Sequence, residues 1–161
     1  MAKVDLIRAA IGDAKLIHRM KYEAFLPIFE KYRDEETSPV KESIEKVIRQ
    51  LSSEGSDYYL IRSGSETVGA VRAAFDGLID GKRTYRISPL FVLPSCQNRG
   101  LGFAAVQALF ALYPYADVWR LSTIKQEARN CHLYEKCGFV ISRPEEIVNE
   151  RMTIVFYQKE C

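Results

Sequence analysis

Residues 94–103 read Pro94-Ser95-Cys96-Gln97-Asn98-Arg99-Gly100-Leu101-Gly102-Phe103, a polar turn between two strongly apolar stretches. Before it stands Leu90-Phe91-Val92-Leu93, which reads as the end of a strand. After it, Leu101, Ala104, Ala105, Ala108, Leu109 and Leu112 recur at helical spacing, with Phe103, Val106 and Phe110 adding a second apolar face. Such a helix belongs against a sheet. The turn is suited to an anion: two glycines allow close backbone approach, and the first amides of the helix are unpaired donors at the positive end of its dipole. Arg99 adds a charge suited to phosphate. Read alone, the glycines also fit a tight strand-to-helix turn with no ligand. A Walker A loop is excluded because no Gly-Lys-Ser/Thr follows. The letters Gly100-x-Gly102-x-x-Ala105 fit a dinucleotide fingerprint, but several polar residues separate strand from glycines and a hairpin precedes them, so an oxidoreductase reading is disfavoured.

Working outward, Val4–Arg8 alternates like a short strand. Ile17, Met20, Ala24, Phe25 and Ile28 then mark a first helix, with a kink or break expected near Phe25-Leu26 because of Pro27. Ser38 with Pro39 begins a second helix carrying Ile44, Val47, Ile48 and Leu51. Asp57–Ser63 and Thr67–Phe75 flank Gly64-Ser65-Glu66 as a hairpin, and a turn over Gly77–Lys82 leads into strand Arg83–Leu93. Beyond the central helix, Val118–Ile124 reads as a strand and Arg129–Lys136 as a short helix capped by Gly138. Phe139–Ser142 and Met152–Gln158 read as closing strands. This order predicts a single α/β or α+β domain with a mixed sheet.

The chain has 161 residues, 47% hydrophobic and 27% charged, which is ordinary globular composition and excludes a disordered tail or a heptad rod. Its net charge of +2, without a basic run, gives no nucleic-acid footprint. Apolar stretches fall short of the ~20 residues that cross a bilayer, and Met1-Ala2-Lys3-Val4-Asp5 lacks a signal-peptide layout, so a cytoplasmic protein off the membrane is expected. Cys96, Cys131, Cys137 and Cys161 form no metal or disulfide spacing, and no metal is expected.

Two segments resemble the GCN5-related N-acetyltransferases (GNAT). Gln97-Asn98-Arg99-Gly100-Leu101-Gly102 matches the signature [QR]-x-x-G-x-[GA], preceded by Val92-Leu93-Pro94, and Leu133-Tyr134-Glu135-Lys136-Cys137-Gly138-Phe139 matches a second family segment. The resemblance implies one domain over residues 1–161, with a mixed, mostly antiparallel sheet of about seven strands splayed at its centre and about four helices flanking it. It implies acetyl transfer from acetyl-CoA to a primary amine, by direct transfer in a ternary complex. Gln97 would belong to the CoA site, the pyrophosphate would lie on Asn98, Arg99, Gly100, Leu101, Gly102 and Phe103, and pantetheine along Leu90, Phe91 and Val92. Amides near Phe91-Val92 would polarise the thioester, and the hydroxyl of Tyr134 would protonate the leaving thiolate. The alternative is a non-catalytic acyl-CoA-binding or sensing module of the same fold.

There are departures. The family asparagine seven residues before the tyrosine is Glu127 here, and Asn130 is either its substitute toward CoA or a helix N-cap. His132, two residues from Tyr134, is expected on another face. No glutamate occupies Arg86-Ile87-Ser88-Pro89-Leu90, leaving a Ser88-held water, Glu23, Glu30 or Asp76 as candidate bases. Tyr22, Phe25, Phe29 and Tyr32, with Asp34-Glu35-Glu36, provide an acceptor wall for a small-molecule or peptide amine, and a homodimer through Met152–Gln158 is a further expectation from the resemblance.

Overall fold

The computed structural model describes residues 2–161. They form strands β1 (Asp5–Arg8), β2 (Ser56–Ser63), β3 (Glu66–Ile79), β4 (Lys82–Val92), β5 (Val118–Ile124), β6 (Val140–Ile147) and β7 (Thr153–Glu160). Helices are α1 (Ala14–Tyr32), α2 (Ile44–Ser52), α3 (Leu101–Leu112) and α4 (Ala128–Lys136). The seven strands make one sheet in the order β1-β2-β3-β4-β5-β7-β6, and β4 with β5 is its one parallel pair among the described residues. The mixed, mostly antiparallel sheet with four helices is the expected fold. No described helix is long and apolar enough to cross a membrane.

Strand alternation gives the sheet two faces, and helices cover both. On one, Leu101, Ala105, Val106 and Leu109 of α3 pack with Tyr134 of α4 onto Val71, Ala73, Tyr85, Ile87, Trp119 and Leu121. On the other, Ile17, Met20 and Ala24 of α1 and Val47 of α2 cover Tyr58, Leu60, Ala70 and Phe91. Trp119, Ile17, Met20 and Leu109 are at most 2% exposed, and burial of each contributes roughly 1.5–3 kcal/mol.

Three local expectations are corrected. Helix α1 runs unbroken through Pro27. The proline forgoes one hydrogen bond, but Met20 and Ala24 before it and Phe29 and Tyr32 after it are all buried and hold both halves in place. The second helix is two pieces: Ser38 caps a short 3-10 turn over Pro39–Lys41, and Ser43 accepts from the Lys46 amide to start α2. Gly77 lies within β3 rather than in a turn. It sits at a register shift with φ 97°, and the reversal falls at Asp80-Gly81, where both residues have positive φ as a two-residue hairpin turn demands.

The central opening comes from how briefly β4 and β5 pair. Only Thr84–Val118, Tyr85–Trp119 and Arg86–Arg120 are matched, so Ile87–Val92 runs on without a partner on that side. A bulge contributes: Val71 faces Leu90 but Ala73 faces Ile87, leaving Ser88-Pro89 opposite Arg72 alone.

Candidate functional site

A cleft of about 810 Å³ fills the gap where β4 and β5 part. One wall is Leu90, Phe91 and Val92, and the facing wall is Ala24, Phe25 and Ile28 of α1. Gln97, Asn98, Gly100, Leu101, Gly102 and Phe103 close one end, while Asn130 and Tyr134 of α4 line a further side. The residues named for CoA and for the acid role converge on this cavity, with Arg99 outside its lining: its guanidinium turns back to the Ser95 carbonyl at 3.3 Å.

The glycine turn is built by its own side chains. The Gln97 amide donates to the Val92 carbonyl at 3.0 Å, fastening the loop to the end of β4. Asn98 adopts φ 67° and its side-chain oxygen accepts from Arg129 of α4. Gly100 caps α3 at φ 74°, a left-handed conformation that glycine adopts freely. A β-carbon at Gly102 would meet Leu133 Cδ1 at 3.2 Å, so α3 packs closely on α4. The first-turn amides of α3 lack helical partners and, with the helix dipole, give this end of the cleft the electrostatics that favour an anion. The loop follows the fourth strand of a largely antiparallel run, which excludes the dinucleotide fingerprint's strand-first βαβ setting.

Tyr134 is 8% exposed, with its ring edge-on to Phe139 at 6.0 Å and tilted against Tyr157 at 6.4 Å. Burial pushes its phenol well above the ordinary value, so it is protonated at neutral pH and able to donate.

Asn130 is not the N-cap of α4. Glu127 occupies that position, and the Asn130 amide donates to its carbonyl at 3.0 Å from the first turn, while the Asn130 side chain belongs to the cleft lining. His132 is exposed where Tyr134, two residues on, is buried, as expected for different faces of α4, although His132 also borders the cleft.

Glu127, which the motif comparison marks only as a departure at the family asparagine's position, makes a contact that the motif does not show. Its Oε2 accepts from Lys31 Nζ at 2.8 Å and from the Tyr32 hydroxyl, tying the end of α1 to the start of α4 across the cleft mouth. The Asn149 amide donates to the Tyr32 carbonyl at 3.1 Å and brings in the β6–β7 turn. Burial works to raise the Glu127 carboxyl, but the hydrogen bonds from Lys31 and Tyr32 outweigh it and hold it below the ordinary range. No local pattern marks such a contact, since the partners lie 95 and 96 residues away.

Of the candidate bases, Glu23, Glu30, Asp76 and Ser88 are all absent from the cleft lining. Asp76 lies 3.6 Å from Arg86, and the Ser88 carbonyl accepts from Arg72. Phe25 lines the cleft, but Tyr22, Phe29 and Tyr32 do not. The acidic run is a loop fixture: Asp34 is buried and accepts from the Glu36 and Thr37 amides, and Glu35 pairs with Lys41 at 3.3 Å.

Comparison with known proteins agrees with this geometry. The family model for the acetyltransferase (GNAT) family matches residues 20–139. A Bacillus subtilis (strain 168) protein designated uncharacterized protein YrkN is 30% identical over 143 residues, covering 86% of this chain and 74% of that one. Among solved structures, an acetyltransferase from Thermus thermophilus superposes with a TM-score of 0.74 at 20% identity, and the match covers 100% of both chains. Spermidine N-acetyltransferase from Vibrio cholerae, in complex with CoA and spermine, gives 0.75 at 17% identity over 98% of this chain and 95% of that one. The chain belongs to the acetyltransferase (GNAT) family.

Proposed function

We propose that this family member moves an acetyl group from acetyl-CoA to a primary amine by direct transfer, with both substrates bound at once. The observation that carries the reading is the continuous cleft running from the α3 glycine turn, along the unpaired edge of Leu90–Val92, to Tyr134. An extended pantetheine has two amides, and an open strand edge offers matching donors and acceptors. The α3 amides favour the pyrophosphate at the other end.

In this reading the amine nitrogen attacks the thioester carbonyl carbon while the amide near Phe91-Val92 holds its oxygen. The carbon–sulfur bond breaks, the thiolate takes the proton of the Tyr134 hydroxyl, and the nitrogen loses its extra proton to solvent. Tyr134 recovers a proton from water. Direct attack is favoured over a cysteine intermediate: Cys96 and Cys137 are buried, and burial raises the Cys137 thiol. The second reading, acyl-CoA binding without turnover, draws on the absence of a glutamate from the strand stretch Arg86–Leu90.

The test is release of free CoA thiol from acetyl-CoA with a panel of primary amines, joined to mass detection of the product. Product heavier by one acetyl group, with one thiol released per product, supports transfer. Acetyl-CoA binding without turnover of any amine would favour the sensing module.

A further inference from the structure

The last rung before β4 and β5 part sets Arg86 directly opposite Arg120. Their flanking residues, Tyr85 and Ile87 on β4 and Trp119 and Leu121 on β5, belong to the core beneath α3. Alternation therefore turns both arginines to the opposite face, the one that α1 and α2 cover over its other half. Arg72, between Val71 and Ala73 on β3, faces the same way. Like charges directly opposite on neighbouring strands are destabilising.

The protein does little to neutralise them. Arg120 Nε donates to the neutral amide of Gln158 at 3.1 Å. Arg72 donates to the Ser88 carbonyl at 2.7 Å and the Ser56 hydroxyl at 3.0 Å, both uncharged. Among the described residues, Asp76 is the one carboxylate within ion-pair distance of any of the three, 3.6 Å from Arg86, and both members of that pair are partly open to solvent. Glu42, the next acid toward Arg72, is committed to Lys21 and Lys46. Burial, with the Arg86 charge adding to it, holds Arg72 below its ordinary range. Three guanidiniums thus share one loosely held carboxylate at the apex of the strand opening.

We infer that Arg86 and Arg120 hold an anionic oxygen group, carboxylate or phosphoryl, carried by the acceptor amine. The inference rests on the acetyltransferase reading. Paired guanidinium forks match the oxygen geometry of either group, and a partnered anion relieves the Arg86–Arg120 repulsion. Neither arginine is among the cleft-lining residues; the strand from Arg86 to the Leu90 wall covers about 13 Å, which the arginine side chain and the acceptor must span together. A polycation meets like charge at the same place and is disfavoured.

Calorimetry on the CoA-loaded protein tests this, using 2-aminoethylphosphonate and β-alanine against ethylamine and putrescine. Binding of at least one anionic amine about tenfold or more tighter than ethylamine, with putrescine weakest, is expected, and phosphonate against carboxylate identifies the anion. In Arg120→Gln that preference drops by about tenfold, while acetyl-CoA affinity is kept and the unfolding temperature is unchanged or higher. Should that variant fail to fold, Arg86→Gln gives the same readout. Equal binding of all four amines, tighter putrescine, no binding at about 10 mM, or an unchanged preference in the variant each overturns the inference. Failure of the acetyltransferase reading is separate and shows as absent acetyl-CoA binding in the wild type.

Discussion

A β-carbon on Gly69 would fall 2.0 Å from the carbonyl oxygen of Phe91, so β3 and β4 meet there without room for any side chain. Gly69 stands opposite Val92, and Phe91 and Val92 form the cleft wall. Gly69→Ala is expected to displace the end of β4, costing about 2 kcal/mol and weakening acetyl-CoA binding together. Thermal unfolding and titration read the two effects; a stable variant with unaltered affinity would detach the cleft from this contact.

Lys21 is buried on α1 and paired with Glu42, which also accepts from Lys46 at 2.7 Å. Burial works to raise the Glu42 carboxyl, but its two lysine partners outweigh it and leave it below the ordinary range. A carboxyl lowered on folding adds stability above its unfolded value of about 4.3, and that stability is lost as pH falls through the lower folded value. Glu42→Gln leaves Lys21 charged and unpaired and is expected to cost about 3 kcal/mol at neutral pH. Urea midpoints followed into acid should fall more steeply for the wild type than for the variant.

The Glu127 link between α1 and α4 is partly exposed, since Lys31 is open to solvent, so solvent screening leaves it little weight in global stability. Its local effect is larger. Glu127→Ala is expected to speed hydrogen exchange over residues 28–33, where the Arg33 amide bonds the Phe29 carbonyl, and to leave α3 unchanged. Equal exchange in both proteins would remove the link from the account.

Tyr134→Phe keeps the ring packing against Phe139 and Tyr157 and removes the hydroxyl. A fall in kcat of about a hundredfold, with KM for acetyl-CoA little changed, is expected if the hydroxyl is the acid. Because burial holds the phenol above its ordinary value, the wild-type rate should show no loss from its ionisation up to about pH 9. Full activity in the variant would assign the proton to water.

Much of the fold was legible because it is written in local patterns: the stripe of α3, the run Val118–Ile124, and the glycines that start α3 and follow α4. The two motif segments are far apart in sequence and still meet at one cleft, since α3 and α4 share a face of the sheet. Pro27 misled because a rule about one hydrogen bond says nothing of the packing on either side. The Glu127–Tyr32 link and the Arg86–Arg120 rung escaped notice for a different reason: each is made by residues distant in sequence, and only strand register or helix docking brings them together.

Calorimetric titration of acetyl-CoA into the wild type and into Gly100→Glu tests the central claim most directly. Gly100 has φ 74° at the α3 cap, so glutamate there sets backbone strain and negative charge against the proposed phosphate seat. One site per chain in the wild type, with affinity lost by about a hundredfold or more in a folded variant, is the expected result. Absence of binding to the wild type, or equal binding to both, would contradict the assignment of this cleft to acetyl-CoA.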